Sequence, residues 1–130
     1  MNHIVKKSRY KIALFGSLTL LITLSCFIPT TLRGPLKFNP DNLPAAQVGV
    51  PYEVKITITQ NATSAGQFSV SEGVLPQGLV LEKLQNENTA RISGIPEEAA
   101  TFTFKIFVWC YGTNVNGQSG EMGYTIVVSK

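Results

Sequence analysis

From Tyr52 the chain alternates: Val54, Ile56 and Ile58 interleave with Glu53, Lys55, Thr57 and Thr59. A period of two places the aliphatic side chains on one face and the polar ones on the other, the pattern of a half-buried β-strand. The same period runs through Thr101 to Tyr111, TFTFKIFVWCY. There Phe102, Phe104, Ile106, Val108 and Cys110 share a face assigned to the core, and Thr103, Lys105, Phe107, Trp109 and Tyr111 share the other. Met122, Tyr124, Ile126 and Val128 alternate in a last strand, and shorter apolar pairs stand at Leu36 and Phe38, Phe68 and Val70, Leu79 and Leu81, and Ala90 and Ile92. About seven short strands at intervals of about ten residues, with no helical period between them, predict an all-β domain built as an antiparallel β-sandwich.

Turn chemistry separates the strands. In VLPQGLVLE, Pro76 fixes one backbone torsion and Gly78 permits a positive one, so a tight turn precedes Leu79 and Leu81. SGIP, Ser93 to Pro96, repeats the device after Ala90 and Ile92. The stretch Gly73 to Pro96 is therefore two turns bracketing short strands, and it contains no plausible reactive chemistry.

The N-terminus follows another pattern. Lys6, Lys7, Arg9 and Lys11 precede an uncharged apolar run from Ile12 to Leu24, followed by Ser25 and Cys26. A basic segment, an apolar helix of limited length and small residues form an export leader. With Thr23 and Ser25 at the third and first positions before Cys26, the segment resembles a bacterial lipoprotein signal, although that pattern prefers Leu where Thr23 stands. The resemblance implies that Cys26 becomes a lipidated N-terminus. An uncleaved anchor helix from Ile12 to Ile28, at the lower limit for spanning a bilayer, and cleavage to a soluble protein are the other two outcomes. All three place the domain outside the cytoplasm. The expected organisation is a leader over residues 1–25, a Pro- and Gly-containing linker over 26–35, and the sandwich over 36–130.

The leader also carries the excess of positive charge. Beyond Ser25 seven Lys and Arg face eight Asp and Glu, a net charge of −1, so the domain offers nothing to a phosphate backbone and no nucleic-acid partner is expected. His3 is the single histidine and falls within the leader. The domain thus lacks an imidazole for acid–base work or for a nucleophilic triad, and an enzyme is not expected. Cys110 has no histidine to activate it, and its strand position predicts a small buried apolar side chain. If Cys26 is acylated, its sulfur is unavailable; otherwise a Cys26 to Cys110 bridge is open.

In order, NPDNLPAAQVGVPYEVKI, GVLPQGLVLE, ARISGIP and ATFTFKIFV resemble the bacterial immunoglobulin-like domains of the cadherin- and dystroglycan-like group. The likeness covers Leu36 to Val128. It implies an immunoglobulin-like sandwich used as a spacer or adhesion module in surface proteins. The chain departs from that pattern in being a single copy with its own leader, in having Cys110 where members often carry Asp, and in inserting Tyr111 to Gly120 before the last strand.

Two ligand classes compete for attention. Calcium, which cadherin-like repeats bind, wants six or more oxygens, but Asp41 is the only aspartate and no acidic triplet exists. No metal or other cofactor is expected. Glu97 and Glu98 sit side by side in a turn, where neighbouring carboxylates diverge, unlike a glycosidase pair that must face across a sugar. The second candidate is the stripe Phe107, Trp109 and Tyr111 on the polar face of its strand, a platform for a protein partner or a sugar ring unless another element buries it. Asn61-Ala62-Thr63 forms a glycosylation sequon, read here as a polar loop tip. The expected function is a non-enzymatic envelope lipoprotein with one immunoglobulin-like domain acting in protein binding, adhesion or assembly, held to the membrane by its lipid or N-terminal helix, on the outer membrane or cell surface. The alternative is a carbohydrate-binding accessory domain using the aromatic stripe.

Overall fold

The structure, a computed structural model, describes residues 34–112 and 117–130. The leader, Cys26 and the linker as far as residue 33 lie outside the described residues. Gly34 to Lys130 form one compact unit. Its strands are β1 (Lys37–Asn39), β2 (Ala46–Gln47), β3 (Tyr52–Thr59), β4 (Ala65–Gly73), β5 (Leu79–Lys83), β6 (Thr89–Gly94), β7 (Thr101–Cys110) and β8 (Ser119–Ser129). They form two four-stranded sheets, ordered β1-β3-β6-β5 and β2-β8-β7-β4.

The alternating patterns turn the expected faces inward, although Val54, Phe102 and Met122 are only partly buried against the core. In β7, Phe104, Ile106, Val108 and Cys110 are buried, and in β8 Tyr124, Ile126 and Val128 are. They meet Tyr52, Ile56 and Ile58 of β3 and Ala90 and Ile92 of β6 in one continuous core. Removal of apolar side chains from water between two sheets is the main force holding such a domain together.

Two features differ from the sequence expectation. The pattern gave about seven strands, all antiparallel. Among the described residues there are eight, and β2 pairs with β8 in parallel, Ala46 beside Val128 and Gln47 beside Ser129. A two-residue strand has too few positions to show a period, and its partner lies some eighty residues away in sequence. The segment between β1 and β2 therefore crosses from one sheet to the other.

Two tyrosines secure that crossing. Tyr124 Oη donates to the carbonyl of Pro40 at 2.9 Å, and Tyr52 Oη donates to that of Pro44 at 3.0 Å. Burial pushes the Tyr124 phenol up to about 12, with a smaller contribution from the Asp41 carboxylate, and burial also raises Tyr52. A phenol with a raised folded pKa keeps its proton where the unfolded chain releases it, so its stabilisation is complete below pH 10 and is lost as pH rises toward 12. Thermal melts followed by circular dichroism are expected to fall across that window. Tyr124→Phe should be less stable at neutral pH by about 1 kcal/mol, for the lost hydrogen bond, and should show a shallower alkaline decline.

The two turn signatures form one clasp. Leu79 N donates to Pro76 O at 3.0 Å, closing a turn in which Gly78 has φ of 89°. Ile95 N then donates to Gly78 O at 3.2 Å and Glu97 N to Gln77 O at 3.1 Å, so the turn before β5 is bonded to the turn after β6. Gly49 N donates to Pro96 O at 3.0 Å, adding the β2–β3 connection to the same end of the sandwich. Pro76 and Pro96 are among the fully buried side chains.

Candidate binding surface

Strand β7 runs from the clasp end to the opposite end of the sandwich, with β4 antiparallel on one side and β8 antiparallel on the other. Its outward residues lie in rows. Thr103 stands beside Thr125, Lys105 between Glu72 and Gly123, Phe107 between Ser69 and Glu121, and Trp109 between Gln67 and Ser119. The stripe foreseen from alternation is thus on the outer face of the second sheet. Phe107 is half-buried, whereas Trp109 and Tyr111 are 38% and 49% exposed. Among the described residues no strand covers them, because the four strands of that sheet lie in one layer and the first sheet packs on its inner side.

A backbone irregularity in β4 determines how Trp109 lies. The β4–β7 register shifts between Ala65 and Gln67, leaving Gly66 as the bulged residue. A Cβ placed on Gly66 would stand 2.5, 2.6 and 2.7 Å from three carbons of the six-membered indole ring. Near-equal distances to three adjacent ring atoms mean that the ring's face covers that position. The indole is therefore folded down over the edge strand, one face on the Gly66 backbone. Tyr111 meets it edge to face, centroids 4.9 Å apart at 78°, the favoured geometry for two aromatic quadrupoles. The sequence revealed the alternation, but not the seat. Its one local signal was a glycine opposite an aromatic, which becomes legible only once the register is known.

A hydrogen-bond network fixes the same end. Tyr111 N donates to Ser64 O at 3.0 Å, and the Thr63 hydroxyl donates to Tyr111 O. Gln118 accepts from Ala62 N at 2.9 Å through its side-chain oxygen and donates to Gly34 O at 3.4 Å, while its backbone carbonyl accepts from Cys110 N at 2.7 Å. Asn61 Nδ2 donates to Thr63 O at 2.8 Å, closing the loop on itself.

The remaining chemistry is structural. Cys110 is a buried free thiol, and burial pushes its pKa up, away from the thiolate that a nucleophile requires. Lys105 pairs with Glu72 and lies 4.0 Å from Glu121, a solvated ion-pair row beside the aromatic stripe. Glu97 and Glu98 are exposed beyond the clasp. Among the described residues, no group of three or more His, Cys, Asp or Glu is gathered.

Two four-stranded sheets around a single core, with a segment that crosses from one to the other between β1 and β2, define an all-β sandwich domain. The family model described as He_PIG, Putative Ig domain, matches residues 34–129, and the chain belongs to that family. Among solved structures, a point mutant of the SrpA adhesin from Streptococcus sanguinis superposes with a TM-score of 0.53 at 16% identity, over 75% of this chain and 57% of that one. The SrpA adhesin itself gives 0.49 at 18% identity, over 75% and 60%. An endo-fucoidan hydrolase from glycoside hydrolase family 107 gives 0.48 at 15% identity, over 78% of this chain and 15% of the hydrolase. The chain thus spans little more than half the length of the SrpA chains, and at these identities the likeness is one of fold. Comparison with curated proteins gives no match.

Proposed function

We propose that this chain is a non-enzymatic envelope lipoprotein whose immunoglobulin-like domain acts as a binding, adhesion or assembly module. Its contact surface for another envelope component is the outer aromatic stripe Phe107, Trp109 and Tyr111. The observation that carries this reading is the exposed Trp109–Tyr111 pair, held in fixed geometry by Gly66 and by the hydrogen bonds of Tyr111. Solvent-facing aromatics held rigid lose little side-chain entropy on binding, which is why such residues dominate contact energies. The leader, with Cys26 as the lipid acceptor or with its apolar run retained as an anchor, supports an exported, membrane-held location.

A second reading, a carbohydrate-binding accessory domain, is favoured by one observation. The indole lies flat over Gly66 and remains exposed, with Gln67 and Ser119 as the cross-strand neighbours of Trp109, an arrangement that sets an aromatic surface beside polar groups. Membrane fractionation of wild type and Cys26→Ala tests the tether. The variant is expected to lose its lipid-dependent processing and to accumulate as an unlipidated precursor that keeps the apolar run Ile12 to Leu24, and unchanged processing would remove the lipoprotein assignment. Pull-down from detergent-solubilised envelope, repeated with Trp109→Ala, tests the surface: the partner retained by wild type should be lost at least tenfold.

A further inference from the structure

We propose that the Trp109–Tyr111 pair is the point at which the domain rests on the interfacial layer of the membrane that anchors it. The inference builds on the tethered reading above and names the envelope component that this end of the stripe meets. Four observations lead to it.

First, the linker joins the domain at the aromatic end. Gly34 accepts a hydrogen bond from Gln118, whose other contacts reach Ala62 and Cys110, and Tyr111 is bonded to Ser64 and Thr63. Gly34, the 61–64 loop and the aromatic pair therefore share one end, while the clasp and the C-terminal end of β8 lie at the other. Second, the tether is short. Seven residues, Phe27 to Arg33, separate Cys26 from Gly34, a reach of at most roughly 28 Å. An uncleaved helix ending near Ile28 would leave still less, so either form of anchor keeps this end beside the bilayer.

Third, the surface has the right composition. No charged residue occurs between Lys55 and Glu72 or between Lys105 and Glu121, the segments that supply the second sheet's part of this end. Along the second sheet the first charges met are Glu121, beside Phe107, and the Lys105–Glu72 pair one row further toward the clasp, while Lys37, Lys83 and Glu87 belong to the first sheet and its β5–β6 turn. Fourth, Trp and Tyr with one polar tip each are the side chains that concentrate at membrane–water interfaces, where the ring meets the acyl boundary and the N–H or O–H stays hydrated. Trp109 lies across Gly66 and remains exposed, so it is available for that layer without rearrangement.

Trp109 is the only tryptophan in the chain and so reports on its own surroundings. The full chain, purified from membranes and reconstituted into phosphatidylcholine vesicles, would be compared with the same chain in vesicles of phosphatidylcholine brominated near the top of the acyl chains. Trp109 emission is expected to shift to the blue on reconstitution and to be quenched at least twofold by the brominated lipid. As a control, Val127→Trp in a Trp109→Phe background places the indole at an exposed site of the clasp end and is expected to remain unquenched. Equal quenching at both positions, or quenching at 127 alone, would overturn the proposal. So would an unquenched Trp109 that a soluble glycan or an envelope protein shields from acrylamide, which would assign the pair to that partner. A chain that fails to float with the vesicles would defeat the tether and this inference with it, whereas floating without quenching defeats the inference alone.

Discussion

Gly94→Ala is expected to be the most damaging small substitution in the domain, lowering stability by about 3 kcal/mol or more. Gly94 has φ of 144°, a region L side chains rarely occupy, and a Cβ there would collide with the carbonyl oxygen of Gly78. The obstacle is backbone, and that backbone is held by the Ile95 N to Gly78 O bond, so it cannot turn aside. Gly78→Ala meets the reciprocal obstacle, the carbonyl of Ile95, at a φ of 89°. Two further glycines calibrate the effect. Gly49 has φ of 76° but nothing within 4 Å of the added atom, so its alanine variant carries only the backbone term, about 1 kcal/mol. Gly123 has neither obstacle, so its variant is expected within about 0.5 kcal/mol of wild type.

Urea denaturation measures the series, the midpoint falling by a molar or more for Gly94→Ala at a typical slope of about 1–3 kcal/mol per molar. Because Gly78 and Gly94 meet at one contact, the double variant should cost less than the two single effects added. A Gly94→Ala protein as stable as Gly123→Ala would refute the clasp.

Phe104→Ala is the second large effect, an expected loss of about 3–5 kcal/mol out of a total that for such domains is only about 5–15. Phe104 is 1% exposed, and its ring lies 6.3 Å from that of Tyr124. Its truncation leaves a cavity between two sheets, and the hydrogen-bonded strands around it cannot collapse to fill the space. The comparison that gives the result meaning is Trp109→Ala on the same strand. The indole is larger, but one side of it faces solvent, so its removal should cost no more than about 1–2 kcal/mol, mostly the edge contact with Tyr111 and the cover over Gly66. A Trp109→Ala variant as unstable as Phe104→Ala would make the indole part of the core and remove the surface proposed for it. Near-wild-type stability together with lost membrane contact or partner binding would separate function from folding at that residue.

The contrast between these two residues also marks how far the sequence could be read. A period of two is a local property, so the assignment of Phe104 inward and Trp109 outward followed from β7 alone, as did the core positions of β3 and β8. The turn at Pro76 to Leu79 was equally local, because proline restricts one torsion and glycine frees another. What local pattern could not supply was pairing. Nothing in Ala46–Gln47 indicated a strand, and only its parallel contact with β8 makes it one. Nothing in GVLPQGL or SGIP indicated that the two turns would bond to each other.

By itself, then, the sequence determined the class of fold, the faces of its long strands, the turn residues and the expectation of an exported chain, since each depends on neighbours within a few residues. The tertiary structure alone decided the sheet partners, the crossing between sheets, the clasp of Gly78 with Gly94, and the seat that Gly66 provides for Trp109. Those depend on which distant backbones lie side by side, a consequence of packing two sheets into one core rather than of any single stretch.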